Sequence, residues 1–235
     1  MSLWKIVATT HAPSCGELVL WRRGEEYVIR VNGEDLMGSE SSHSERALAK
    51  YGCMGLRLVR NARVLIGGLG MGFTLRAALE VLRADAEVDV AELVPAVVDW
   101  NRGPIAHLAG RPLDDRRVRL VERDVDLVLR GARARYDAIL LDVDNGPQEL
   151  TSPLNEALYG RAGLARARCA LRPNGVFAVW SAHDDVQLCR RMRQEGYHTR
   201  TEYVFARPHG GGRHTIWLAE PAARPRARSA DDDMV

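Results

Sequence analysis

Val64-Leu65-Ile66 runs straight into Gly67-Gly68-Leu69-Gly70-Met71-Gly72, and the chain continues at once as Phe73-Thr74-Leu75-Arg76-Ala77-Ala78-Leu79. Three consecutive apolar β-formers need burial on both faces of a sheet, whereas Leu75, Ala78, Leu79 and Leu82 recur at helical spacing. Between them the glycines let the backbone turn sharply and lie against a ligand. A strand, a glycine loop and a helix N-terminus in that order form a nucleotide-type cradle, with Gly67, Gly68, Gly70 and Gly72 as its binding positions. A dinucleotide fingerprint reads G-x-G-x-x-G. Gly68-Leu69-Gly70-Met71-Gly72 is one residue tighter, which suits a nucleoside without a pyrophosphate. Taken alone the loop is equally compatible with a plain strand-to-helix turn, so the rest of the chain has to decide.

The chain has 235 residues, enough for one α/β core and a small appendage. Its 46% hydrophobic and 27% charged content is ordinary for a globular protein and argues against both disorder and a membrane protein. A net charge of +2, from 33 basic and 31 acidic side chains, gives too weak a field to expect nucleic acid as a partner. Cys15, Cys53, Cys169 and Cys189 form no C-x-x-C pair and read as reduced packing thiols. The opening Met1-Ser2-Leu3-Trp4-Lys5 lacks the features of a secretory segment, so a cytoplasmic location is expected. The seven histidines show neither H-x-x-x-H spacing nor a cysteine partner, so no metal is expected and they read as surface or packing residues. His183, just after a strand, is the one placed to reach a cleft.

Residues 1–43 read as a small β appendage, with strands at 17–21 and 27–31 and a turn at Asn32-Gly33. Ser42-His43-Ser44-Glu45 reads as a capping box opening the helix that joins appendage to core. From Ala62 onward strands at 64–66, 88–91, 118–121, 138–141 and 176–180 alternate with helices at 74–82, 94–102, 125–129 and 158–170, the mark of βαβ units and a parallel sheet. Arg172-Pro173-Asn174-Gly175 supplies a turn into the fifth strand. Strands at 199–205 and 214–219 then form a hairpin at the sheet edge. A mostly parallel seven-stranded sheet finished by an antiparallel hairpin resembles the Rossmann-like methyltransferase fold. That core is assigned to 44–220, and the proline, arginine and aspartate mixture of 221–235 reads as a disordered tail.

Ligands of open α/β sheets bind beyond the carboxyl ends of the strands. Glu92 ends the second strand, about twenty residues after the glycine loop, where a carboxylate accepts from both ribose hydroxyls. Asp124 follows the third, as an adenine contact, as the cap of the helix beginning at Val125, or as both. The fourth strand runs into Asp142-Val143-Asp144-Asn145-Gly146-Pro147. Carboxylates at that mouth can orient an ammonium and take its proton before the amine attacks a sulfonium carbon, which makes Asp142 and Asp144 the catalytic candidates. An Asx-turn that merely stops the strand is the structural alternative.

These fragments in this order resemble the spermidine synthase (polyamine aminopropyltransferase) family. The likeness rests on Val31-Asn32-Gly33-Glu34-Asp35-Leu36-Met37, Ser44-Glu45, the glycine loop with Thr74-Leu75-Arg76, and Glu92-Leu93-Val94-Pro95. It continues in Tyr136-Asp137, Asp142, Gly146-Pro147 and Leu171-Arg172-Pro173-Asn174-Gly175-Val176. The resemblance implies decarboxylated S-adenosylmethionine as co-substrate, a small-molecule amine acceptor, and a homodimer. It also implies Glu92 on the ribose, Asp124 on the adenine and Asp142 at the amine. Three departures stand out. Gly70 replaces the family's aspartate, which faces the amino end of the decarboxylated donor; glycine there favours intact S-adenosylmethionine, whose carboxylate an aspartate would repel. The segment after the fourth strand is shorter than the family's D-S-S-D-P-x-G-P. The family's tyrosine-histidine-glutamate reads His43-Ser44-Glu45. Methyl transfer and aminopropyl transfer therefore both stay open, with a non-catalytic scaffold as the reading from another class and a dinucleotide dehydrogenase as a distant third.

Overall fold

The computed structural model describes residues 3–12, 16–143, 158–208 and 210–222. Four antiparallel strands come first: β1 (Lys5–Ala12), β2 (Gly16–Arg23), β3 (Glu26–Val31) and β4 (Glu34–Gly38), paired in that order. Helix α1 (His43–Cys53) follows, then β5 (Arg63–Gly67), α2 (Phe73–Val81), β6 (Glu87–Glu92), α3 (Pro95–Arg102), β7 (Val118–Glu122), α4 (Val125–Arg130) and β8 (Tyr136–Leu141). The described chain ends with α5 (Arg161–Ala170), β9 (Leu171–Ser181), α6 (Val186–Gln194), β10 (Tyr197–Arg207) and β11 (Gly210–Pro221).

The main sheet has seven strands in the order β10-β11-β9-β8-β5-β6-β7. Strand β5 pairs in parallel with β6 on one side and β8 on the other, and β11 runs antiparallel between β9 and β10. The chain thus moves outward from β5 in one direction and then returns to its other side, so a crevice opens at the carboxyl ends of β5 and β8. The expected α/β architecture, with its edge hairpin and small N-terminal sheet, is the architecture observed.

Alternation along the strands divides the core between the two faces of this sheet. Val64, Ile66, Val88, Val90, Ala138 and Leu140 pack on the face covered by α1, α2 and α3, together with Leu20, Ile29 and Val31 of the small sheet. Leu65, Ile139, Leu141, Phe177 and Val179 pack on the other, against Leu129 of α4, Leu164 of α5 and Leu188 and Met192 of α6. Burial on both sides is why β5 and the end of β8 read as unbroken apolar runs, while β6 carries Asp89 between Val88 and Val90.

Two carboxylates away from the crevice are matched by cations. Asp89 accepts from Arg119 through two bonds of 2.8 Å and from the Tyr136 hydroxyl at 2.8 Å. Asp137 accepts from the Arg63 amide and from the Arg172 guanidinium at 2.7 Å each, joining β5, β8 and β9 at the end of the sheet away from the crevice.

Three local expectations change. Residues 172–175 form no separate turn but bulge within β9: the register passes from Tyr136↔Leu171 to Ala138↔Val176, with Asn174 left-handed at φ 64°. The hairpin closes more tightly than 208–213, with Arg207 opposite Gly210. Ser42 makes no side-chain cap on α1, because Glu45, the acid that would complete the box, is drawn into the interior instead.

Candidate active site

A cleft of about 600 Å³ lies at the crevice, walled by the carboxyl ends of β5 to β8 and by residues of β3 and β4. Gly68 and Gly70 line it; Gly67 and Gly72 lie to either side, as the last residue of β5 and the N-cap of α2. The loop has a fixed shape. Gly68 adopts φ +89°, and a Cβ there would stand 2.1 Å from the Asp142 carbonyl oxygen. Its amide donates to the Ala91 carbonyl at 2.9 Å, and the Asp142 amide donates to the Gly67 carbonyl at 2.8 Å. Asn101 of α3 donates to the Gly70 carbonyl at 2.7 Å. Gly70, at φ +52°, has Met37 of β4 above it, with the thioether 2.9 Å from where a Cβ would be.

Glu92 and Asp124 meet on the wall beside this loop. Glu92 is 8% exposed and oriented by two backbone donors, the Leu69 amide at 2.9 Å and the Val94 amide at 2.8 Å. The bond to Leu69 ties the end of β6 to the glycine loop. Asp124 caps α4, accepting from the Asp126 amide at 2.8 Å, while also lining the cleft. The capping role expected for it is therefore present, and a ligand contact remains compatible with it.

Asp142, just after β8, is half-buried in the cleft, and the Thr74 hydroxyl donates to its Oδ2. Asp144 lies outside the described residues. A second carboxylate nevertheless stands at this position: Glu45 of α1 is 6% exposed and lines the same cleft. Thr74 also lies 3.3 Å from the Glu45 carbonyl, so one hydroxyl links α2 to both acids. Burial pushes the Glu45 carboxyl up to about 7, the charge of Asp142 adds to this, and the Ser44 hydroxyl opposes it. Burial likewise raises Asp142 to about 6 against the opposing Thr74 bond. The two acids titrate as a pair that holds a proton near neutrality.

This raises a stability prediction with a definite sign. A carboxyl whose folded value lies above its unfolded value keeps a proton that the unfolded chain has released, so stability falls as pH rises between the two. For the pair this window runs from the ordinary carboxyl range to about 7. Denaturant unfolding at pH 5 and pH 8 is expected to show Glu45→Gln flattening the loss by about 1–2 kcal/mol. An unchanged slope would place the carboxyl in a solvated setting. Asp115, held down to about 2 by Arg117, acts in a lower window and does not obscure the result.

Trp180, His183 and His214 complete this end of the cleft. His214, expected as a surface or packing residue, packs edge-on against Trp180 at 4.8 Å and also places Nδ1 2.8 Å from the buried Ser44 hydroxyl. Ser44 in turn donates to Glu45 Oε2 at 2.7 Å. No spacing signals this group, since Ser44 and His214 are 170 residues apart. Among the described residues no cluster of three or more ligating side chains is arranged to hold a metal ion.

The sheet order, the glycine loop and the acids beyond β6, β7 and β8 define a Rossmann-like α/β protein with its cleft at the strand reversal. No family model matches the chain. It is 40% identical over 183 residues to polyamine aminopropyltransferase 1 of Streptomyces coelicolor, an alignment covering 73% of the chain and 33% of that protein. It is 30% identical over 181 residues to the polyamine aminopropyltransferase of Mycobacterium tuberculosis, covering 74% and 32%. The chain thus spans about a third of the length of these curated relatives. Spermidine synthase from Thermotoga maritima superposes with a TM-score of 0.73 at 18% identity, over 94% of this chain and 75% of that one. A spermidine synthase in complex with the transition state analogue AdoDATO gives 0.77 at the same identity and coverage. The chain is thus similar in sequence to part of the polyamine aminopropyltransferases and in fold to the spermidine synthases.

Proposed function

We propose that the chain binds an S-adenosyl-type donor across the glycine loop and transfers an alkyl group from its sulfonium to an amine. The observation that carries this reading is the coupled Asp142–Glu45 pair in a cleft that Glu92 and Asp124 also line. Glu92, aimed by two backbone amides, is the ribose acceptor, and Asp124 the contact for the adenine amino group. Gly68 and Gly70 present backbone to the cleft, and the space a Cβ would take at each is filled by the Asp142 carbonyl and by the Met37 side chain.

An ammonium entering beside Asp142 replaces the shared proton, which leaves to water, as the counter-charge of the pair. Loss of its proton to the carboxylate frees the nitrogen lone pair; the nitrogen then attacks the carbon next to sulfur, the C–N bond forms, and the C–S electrons leave with a neutral thioether. The protein's contribution is to position the two reactants in line, to exclude water and to hold the proton. Asp144 belongs to the same proposal as a second acid at the acceptor side.

The relatives' names favour an aminopropyl group as the one moved. Methyl transfer is the second reading, and Gly70 supports it: the loop presents backbone, not a carboxylate, where intact S-adenosylmethionine carries its own. Titration calorimetry with intact and decarboxylated S-adenosylmethionine, followed by mass spectrometry of a diamine incubated with each, separates the two. Preference for the decarboxylated donor with a gain of one aminopropyl unit is expected for the first reading. Tighter binding of the intact donor with a gain of one methyl group would replace it by the second, and binding of neither would leave a scaffold role.

A further inference from the structure

Glu45, charge-coupled to Asp142, carries a series of hydrogen bonds on its far side. Glu45 Oε2 accepts from the Ser44 hydroxyl at 2.7 Å, and the same oxygen of Ser44 is 2.8 Å from His214 Nδ1. Ser44 is fully buried, while His214 is only half-buried, so the series runs from the interior of the cleft toward its mouth. We propose that Ser44 and His214 form a proton relay that empties the Asp142–Glu45 pair after each transfer. This rests on the amine-alkylation reading above, which delivers one proton to the pair per turnover.

The step balances without a further reactant. With Glu45 ionised, Nδ1–H of His214 donates to Ser44 and Ser44 donates to Glu45. With Glu45 protonated the polarity reverses: Glu45 donates to Ser44, Ser44 donates to Nδ1, and the imidazole carries its hydrogen on Nε2. The Glu45 proton then passes to Ser44 as the Ser44 hydrogen passes to Nδ1. The resulting imidazolium loses its Nε2 proton to water, which restores the first state.

The surroundings suit a carrier that does not keep the proton. Burial lowers the affinity of His214 for a proton, and His183 lowers it further. Against the ring stand Ser44 of α1, which also bonds Glu45, Trp180 of β9, His183 of the segment after it and the backbone of Gly212; on β10 its register partner is the uncharged Val204.

Two measurements test the relay. Nitrogen-15 NMR of histidine-labelled protein without substrates is expected to show His214 changing from the Nδ1–H to the Nε2–H tautomer as pH falls through the titration of Glu45, with no change in Glu45→Gln. A His214 tautomer that is the same from pH 5 to pH 8 in the unaltered chain would overturn the proposal. In turnover, His214→Gln keeps a donor for Ser44 but carries no proton. We expect kcat to fall about tenfold, with donor and acceptor KM within about twofold and recovery on adding free imidazole. Unchanged kcat, or a loss confined to KM, would reduce His214 to a packing role. An unaltered chain that alkylates no amine would overturn the function instead, and the tautomer measurement alone would then decide the relay.

Discussion

Replacing Asp142 by asparagine is expected to lower turnover by about two to four orders of magnitude while leaving donor affinity unchanged. Asparagine keeps the shape of the side chain and an oxygen for the Thr74 hydroxyl, so the loop and the contacts proposed for the donor at Gly68, Glu92 and Asp124 are preserved. What is lost is the capacity to take a proton from an ammonium in a buried site, where no solvent base substitutes. The exchange also removes a charge that raises Glu45, so the remaining acid titrates at lower pH and the residual rate should reach its plateau at lower pH as well. Calorimetry with the preferred donor and a full pH–rate profile check both parts. Turnover within tenfold of the unaltered chain would remove Asp142 from the chemistry and shift attention to Glu45.

Gly68→Ala is expected to destabilise the folded chain by about 2–5 kcal/mol and to abolish donor binding. Two costs combine. A left-handed backbone costs a residue with a Cβ about 1–2 kcal/mol, and overpacking typically adds about 1–3 kcal/mol. The neighbour here cannot step aside, because the Cβ would meet the backbone oxygen of Asp142 at 2.1 Å, and the Asp142 amide is itself bonded to Gly67. For a chain of this size the melting temperature should fall by about 2–4 °C per kcal/mol. Gly70→Ala makes the useful contrast: its Cβ would meet only the end of the Met37 side chain, which can rotate away, so the backbone strain alone remains. Thermal unfolding of the two variants side by side checks the argument, and equal losses would show that strain, not the contact with Asp142, sets the cost.

Much of the fold was legible because its signals are local. A strand of a parallel sheet is buried on both faces, so 64–66 and 138–141 stand out as apolar runs and 88–91 as one interrupted only by Asp89, and the glycines between β5 and α2 follow from a turn that a Cβ would block. The elements that escaped notice bury little. Helix α6 was missed because only Leu188 and Met192 are buried in a helix of nine residues, although Asp185 at its N-cap and that i, i+4 pair could have signalled it. Strand β1 was missed because most of its side chains face solvent.

The candidate site divides in the same way. Gly68, Gly70, Glu92, Asp124 and Asp142 were readable because each ends a strand or follows one, and sheet topology alone sends those positions to the crevice. Glu45 had the sequence signature of a helix cap, and His214 that of a strand residue on an edge hairpin. Their position beside Asp142 arises only when α1 packs across the sheet and β11 inserts between β9 and β10. Sequence by itself therefore determined the architecture and the acids at the strand ends, since alternation and turn geometry are properties of neighbouring residues. Tertiary structure decided which acids are paired and protonated and which histidine they reach, because desolvation and charge coupling depend on groups brought together from distant parts of the chain.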